Sequence, residues 1–374
     1  MLIIAWKNMR AAKAQFAFSV AGIAVAALLL AFVLALYRGF QERVASYVED
    51  VPADLWVVQD GNESFFSASL VPEATIDEVE KIEGVTGVDT LLGRSLKVRH
   101  GNDSFDSYIL GFDQGGAGGP LKIKKGSGDP GDAEIILDDV LARTAGIDVG
   151  DEVTVGDRAL KVVGISTGGN VIIYTLSFVS KDEARQLVGI KGFINFDFTG
   201  FVNFGLVRTE PGQDAAVASR INEDVEGVNA FLSEDFASKS RQVVARSMLP
   251  ILAVIVVLVF VVGSVVVGLT IYTATVEKER EFGVMKAMGT PNKFLLIAVV
   301  EQSLICGLIG FLVGEATVVV ASRFAERVVP QFVTLLQVRD AFIVFGAVAL
   351  MSVLAAYLPV QKVLRVDPLR VFKA

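Results

Sequence analysis

The chain has 374 residues, 52% hydrophobic and 20% charged, with a mean hydropathy of +0.55 and a net charge of −8. A soluble domain carries about 25% charged residues, so the balance leans toward a membrane, and an acidic chain without clustered Lys and Arg excludes a nucleic-acid footprint. One cysteine, Cys306, excludes an internal disulfide, and one histidine, His100, excludes any site that needs two.

The first segment, 1–43, opens with an amphipathic lead-in in which Leu2, Ile3, Trp6 and Met9 lie along a membrane surface. No charge then occurs between Lys13 and Arg38, a length that crosses a bilayer and exceeds the apolar region of a cleavable signal. Residues 44–245 alternate short strand-like and helical runs and predict one large α+β domain. It has a lobe built from 44–114 and 201–245 and a second lobe inserted at 115–200. Thr75 with Glu78 fits a capping box for a helix over 75–82. Gly156–Asp157 predicts a hairpin between 151–155 and 160–165. Asp148, Asp151 and Asp157 do not have the spacing of a calcium-binding loop and read as turn and cap residues.

A second charge-free run defines a span at 246–276, with Pro250 near its first turn. Residues 277–292 form a charged loop, 293–322 a third span interrupted by Glu301 and Glu315, 323–340 a short loop, and 341–361 a fourth span that closes at Pro359. The tail is 362–374. Lys7, Arg10 and Lys13, then Lys278, Arg280, Lys286 and Lys293, then Lys362, Arg365, Arg370 and Lys373 all fall on one side of four spans. Short basic segments stay in the cytoplasm. Both termini are therefore predicted to be cytoplasmic and the domain at 44–245 extracytoplasmic. The expected fold class is a membrane α-helical protein with four transmembrane helices plus an α+β extracytoplasmic domain.

The loop after the second span is the most informative segment. Glu277, Lys278, Glu279, Arg280 and Glu281 place five charges in a row, and Phe282, Met285 and Met288 set an apolar stripe before Gly289 and Pro291 stop the helix. Apolar residues rimmed by charge mark protein contacts. No G-x-x-x-x-G-K-[ST] motif and no nucleophile motif is present, so catalytic residues are not expected.

Glu279, Arg280, Glu281, Gly283, Lys286, Ala287 and Gly289 match a segment close to "ERxREIGxxKAxGA", with Phe282 where Ile is common. The tail from Pro359 to Arg370 and the start from Trp6 to Arg10 match as well. On these residues the chain resembles the FtsX/MacB-like permeases, the type VII ABC transporters, and among them the split DevC/HrtB branch of haem exporter permeases. MacB itself carries an ATPase on the same chain, and this sequence departs from it there.

The resemblance implies an extracytoplasmic domain of the MacB periplasmic-core type. It also implies a homodimer in the lipid bilayer of a bacterial cytoplasmic membrane, working with two copies of a separate ABC ATPase subunit that uses ATP. Residues 277–289 would be the ATPase-coupling helix. The chain would bind no cofactor of its own, and haem would be a substrate carried by mechanotransmission. At the outer ends of the first two spans Tyr37, Phe40, Glu42 and Met248 have two readings: a site for a flat amphiphile such as haem, a methionine being a known axial ligand, or the aromatic belt and polar boundary residues of a membrane interface. Two alternatives stay open: a mechanotransmitter that regulates an extracellular partner, as FtsX does, and a permease for lipoproteins, glycolipids or drugs. Glu301 and Glu315 are functional candidates because ionisable groups in a bilayer are costly; the alternatives are that Glu301 reaches the interface or bonds a neighbouring helix and that Glu315, near the outer end, faces water. Gly310 and Gly314 form a G-x-x-x-G pair suited to close helix packing.

Overall fold

The computed structural model describes residues 13–169, 175–188, 200–328 and 334–364. The lead-in with Trp6–Arg10 and the tail from Arg365 onward lie outside these residues. Four helices are long and apolar enough to cross a membrane: Lys13–Asp50, Ser233–Glu277, Asn292–Ala325 and Val338–Leu364. The described chain divides into two compact units, one formed by 13–39, 248–328 and 334–364, the other by 40–247.

The first unit holds α1, Lys13–Asp50, as far as residue 39 and α6, Ser233–Glu277, from residue 248 on, together with α7, Glu279–Ala287, and α8, Asn292–Val328. The last span is two helices, α9 over Val338–Ala355 and α10 over Tyr357–Leu364. The helices do not begin and end with the expected spans. α1 continues past residue 43 because Val44, Ala45, Tyr47 and Val48 keep a helical apolar period and are buried. α6 begins 13 residues before the second span, with Phe236 and Ala237 buried, so Pro250 sits in a helix interior and not in a first turn. The fourth span breaks at Ala356, and Pro359 lies inside α10 and does not close the helix. A charge-free run measures the bilayer crossing. It does not measure where a helix starts or stops.

The core of this unit joins Ile23, Ala27 and Leu30 of α1 with Val267 and Ile271 of α6, Val299 and Cys306 of α8, and Val344, Val348 and Met351 of α9. Small residues set the spacing. A Cβ on Gly314 would lie 2.7 Å from Ala27 Cβ and 2.8 Å from the Ala24 carbonyl oxygen, and one on Gly310 would lie 2.6 Å from Ile23 Cβ. The G-x-x-x-G pair thus packs α8 against α1 of the same chain.

The second unit is built on a sheet of ten strands among the described residues. In chain order they are β1 Leu55–Gln59, β3 Val85–His100, β4 Asp103–Phe112, β5 Lys122–Gly126, β6 Glu134–Asp138, β7 Glu152–Val155, β8 Arg158–Thr167, β9 Thr175–Ser180, β11 Phe204–Thr209 and β12 Val228–Leu232. Their order is β12-β1-β11-β3-β4-β9-β6-β8-β5, with β7 on β3 and β8. The β4–β9 and β6–β8 pairs are parallel and the rest antiparallel. β2 Val71–Pro72 pairs separately with β10 Phe201–Val202. The helices are α2 Glu73–Val79, α3 Asp139–Ala145, α4 Lys181–Val188 and α5 Asp214–Asp224.

The expected two lobes share this one sheet, since β3 pairs with β7 and β4 with β9 across the boundary at 115. The apolar contacts still divide. Leu92 and Val98 pack with Ile135, Leu160 and Val179, whereas Leu55 and Val71 pack with Val207, Val217 and Ile221. Between them Trp56, Phe65, Phe204, Phe236 and Tyr47 stack in an aromatic core. The predicted hairpin forms over β7 and β8, and Gly156 supplies its positive φ of 61°. The capping box does not form. α2 starts at Glu73 behind Pro72, and Glu73 N–H donates to the Gly200 carbonyl at 2.8 Å, which places Thr75 inside the helix. Asp148 and Asp151 act in a turn, with Asp151 accepting from Asp148 N–H at 2.7 Å.

Candidate functional site

The charged loop folds into α7, a separate nine-residue helix offset from α6 at Lys278, whose φ of −96° and ψ of 12° leave the helical region. Its end is a Schellman motif. Gly289 N–H donates to the Lys286 carbonyl and Thr290 N–H to the Met285 carbonyl, both at 3.0 Å, with Gly289 at φ 88°. Only glycine takes that φ without cost, so the stop is written in the sequence.

The expected stripe does not present one face. Phe282 is 6% exposed and packs, with half-buried Met285, in the core of the membrane unit, while Met288 is 73% exposed. Gly283 is buried too, and Glu277 and Gly289 are exposed. The outward face is Arg280, Glu281, Val284, Ala287 and Met288, spaced one, four, seven and eight residues from Arg280 as on one side of a helix. The inward side is tied down. Glu279 Oε2 pairs with Lys362 Nζ at 3.1 Å, and Lys286 Nζ donates to the Leu364 carbonyl at 3.0 Å. Burial pushes the Lys278 ammonium below its ordinary range, against the pull of Glu281. The part of α10 in this support was not legible beforehand, because 78 residues separate Lys286 from Leu364.

The four residues expected to hold a substrate are not alike. Phe40 is buried, Glu42 is exposed, and Tyr37 and Met248 are half-buried. Phe40 and Glu42 belong to one unit, Tyr37 and Met248 to the other. The buried ring of Phe40 is not offered to a ligand, a correction to the expectation. A strict aromatic count at a span end does not distinguish a ring turned into the protein from one turned out.

Glu301 and Glu315 are half-buried on α8, and each has one carboxylate oxygen, Oε2 and Oε1 respectively, buried without a hydrogen-bond partner. An ion pair that no sequence pattern signals lies in the same unit. Arg38 donates to Asp340 through Nε at 3.3 Å and Nη2 at 3.2 Å, and the Asp340 side chain is 8% exposed. In the sequence both residues only mark where charge-free runs end. Among the described residues no group of three or more His, Cys, Asp or Glu is placed to hold a metal ion.

Comparison with known proteins matches residues 16–224 to the MacB-like periplasmic core domain and residues 253–368 to the FtsX-like permease C-terminal domain. An uncharacterized ABC transporter permease of Mycobacterium tuberculosis is 24% identical over 339 residues, covering 90% of this chain and 89% of the relative. A protein of Staphylococcus haemolyticus named as a hemin transport system permease, HrtB, is 21% identical over 374 residues, covering 98% and 97%. The periplasmic region of MacB from Actinobacillus actinomycetemcomitans aligns with a TM-score of 0.37 and 13% identity over 50% of this chain and 92% of that one.

Proposed function

The chain belongs to the MacB/FtsX-like ABC transporter permeases, and from that premise we propose that it converts ATP hydrolysis on a separate ATPase subunit into extrusion of a hydrophobic substrate. The observation that carries the coupling half of this reading is the outward face of α7. Arg280 and Glu281 flank exposed Val284 and Met288 on a helix whose other side is buried and braced by Lys362 and Leu364. An apolar spot rimmed by charge on a rigid helix suits a protein partner. In this reading two chains pair in a cytoplasmic membrane with both termini inside, two ATPase subunits dock on α7, and closure of the ATPases is carried along α1 and α6. Both helices continue well beyond the 20 residues or so that a bilayer needs, which supports their use as levers.

Haem is the proposed substrate. Its support is the relative named for hemin transport, alignable over nearly the whole of both chains. The coupling half is tested by co-purification with the co-expressed ATPase. Met288→Asp and Arg280→Glu should remove the ATPase while leaving thermal stability unchanged, and retention of the ATPase by both variants refutes the docking face. Substrate identity is tested on the intact complex by titrating haem and recording the Soret band. A saturable shift weakened in Glu42→Ala or Met248→Ala supports haem, and no saturable spectrum rejects it while leaving the docking result intact.

A further inference from the structure

The membrane unit contains a cavity of about 190 Å³ that the coupling surface does not use. Leu335 N–H donates to the Ala35 carbonyl at 3.0 Å, which pins the chain entering α9 against α1. Three residues on from Ala35, Arg38 reaches Asp340 in the first turn of α9. Glu315 of α8 lines the same cavity, and its Oε1 is the buried oxygen without a partner. The remaining wall is largely hydrocarbon, from Ala31, Ala35, Val319, Leu335, Leu336 and Val338.

The charges around this space do not cancel. Arg38 is committed to Asp340 by two hydrogen bonds, and among the described residues that line the space none is Lys, Arg or His. Among the described residues an ionised Glu315 thus has no counter-charge, an expensive arrangement in a membrane and one that suits a positive partner. A divalent metal ion takes about six or more oxygen ligands. The lining side chains offer only Glu315 and Gln337 besides the engaged Asp340. An organic ammonium needs less, because one N–H group satisfies Oε1 and the attached carbons take the hydrocarbon wall. The space is large enough for an ammonium and a few methylenes.

We propose that this cavity binds the primary ammonium group of an alkylammonium amphiphile, with Glu315 as its counter-charge and hydrogen-bond acceptor. The source is either a lipid with a primary amine headgroup or a free cationic amphiphile. The inference is independent of the ATPase and of haem, so its failure leaves the docking face and the Soret titration untouched.

The test uses the full chain in phosphatidylcholine nanodiscs, titrated with dodecylamine and read by native mass spectrometry. One amine per chain should bind saturably. A hydrogen bond to a charged group is worth about 1.5–3 kcal/mol, so Glu315→Gln, dodecanol and dodecyltrimethylammonium should each bind at least about tenfold more weakly. Ala35→Leu, which fills the cavity and keeps the carboxylate, should also abolish binding, and the two variants are compared at matched thermal stability. Equal binding by wild type and Glu315→Gln, or no saturable binding, overturns the proposal. Repeating the titration with phosphatidylethanolamine present separates the sources. Competition by that lipid identifies a headgroup site, and unchanged amine binding identifies a site for a free amphiphile.

Discussion

The deeply buried carboxylates of this chain are partnered in both units, Asp340 by Arg38 in the membrane unit, whereas two half-buried carboxylates of the membrane unit, Glu301 and Glu315, are not fully met. In the sheet unit each deeply buried acid is satisfied. Asp138 accepts from Val140 N–H at 2.9 Å and Gly169 N–H at 3.1 Å, and Glu183 accepts from Ala133 N–H at 3.0 Å and pairs with Arg158 at 2.5 Å. In the membrane unit Glu301 and Glu315 each leave an oxygen without a partner. A satisfied buried acid holds a fold together, whereas an unsatisfied one is a cost without a structural return. Glycine differs in parallel. In the sheet unit Gly146, Gly150 and Gly156 take positive φ in turns, and in the membrane unit Gly310 and Gly314 let helices touch.

The largest expected effect breaks the comparison of glycines. Gly314→Leu drives a side chain into the α1 backbone, which cannot yield as a flexible side chain does, and should cost about 3 kcal/mol or more. Gly150→Leu meets nothing within 4 Å and should cost only the strain of a positive φ, about 1–2 kcal/mol. Melting temperatures of the two variants in detergent decide, and equal losses would show that α8 does not pack on α1 in this way.

Glu183→Ala leaves Arg158 and the Ala133 N–H without their acceptor and should cost about 2–3 kcal/mol. Glu315→Gln removes an uncompensated charge and should leave the melting temperature unchanged or raised. A strongly destabilised Glu315→Gln would mean that its carboxylate is a structural acceptor.

A smaller effect depends on pH. Burial raises the Asp138 carboxyl to about 6, above its ordinary value, against hydrogen bonds from Val140 and Gly169 that lower it. The native state then holds a proton that the unfolded chain has released, so stability from this group is present near pH 4 and is lost as pH rises through about 6. Each tenfold difference in proton affinity between the two states is worth about 1.4 kcal/mol, so the loss is on the order of 2–3 kcal/mol. Denaturant titrations between about pH 4 and pH 7 should show it, and Asp138→Asn should flatten the profile. A profile that rises with pH and does not change in Asp138→Asn contradicts this account.

Much of the frame was legible because it rests on composition and local chemistry. Four apolar runs, the hairpin at Gly156 and the stop at Gly289 follow from bilayer thickness and from the few residues that accept positive φ. The start of α3 is local chemistry of the same kind, with the Asp138 side chain accepting from Val140 N–H. The strands β5 and β9 were not legible. β9 is buried at every position, so it lacks the alternation that marks a half-exposed strand, and β5 is a polar edge strand with no apolar face.

By itself, then, the sequence determined what each segment is: which stretches prefer lipid, which turn, and which carry the charged helix between the second and third spans. The tertiary structure alone decided what each side chain does. It turned Phe282 inward and Met288 outward, buried Phe40, joined Arg38 to Asp340 across 302 positions and left Glu315 unmatched. Helical and strand preferences are set by neighbours a few residues away, but burial and ion pairing depend on which distant elements come together, and no local pattern encodes that meeting.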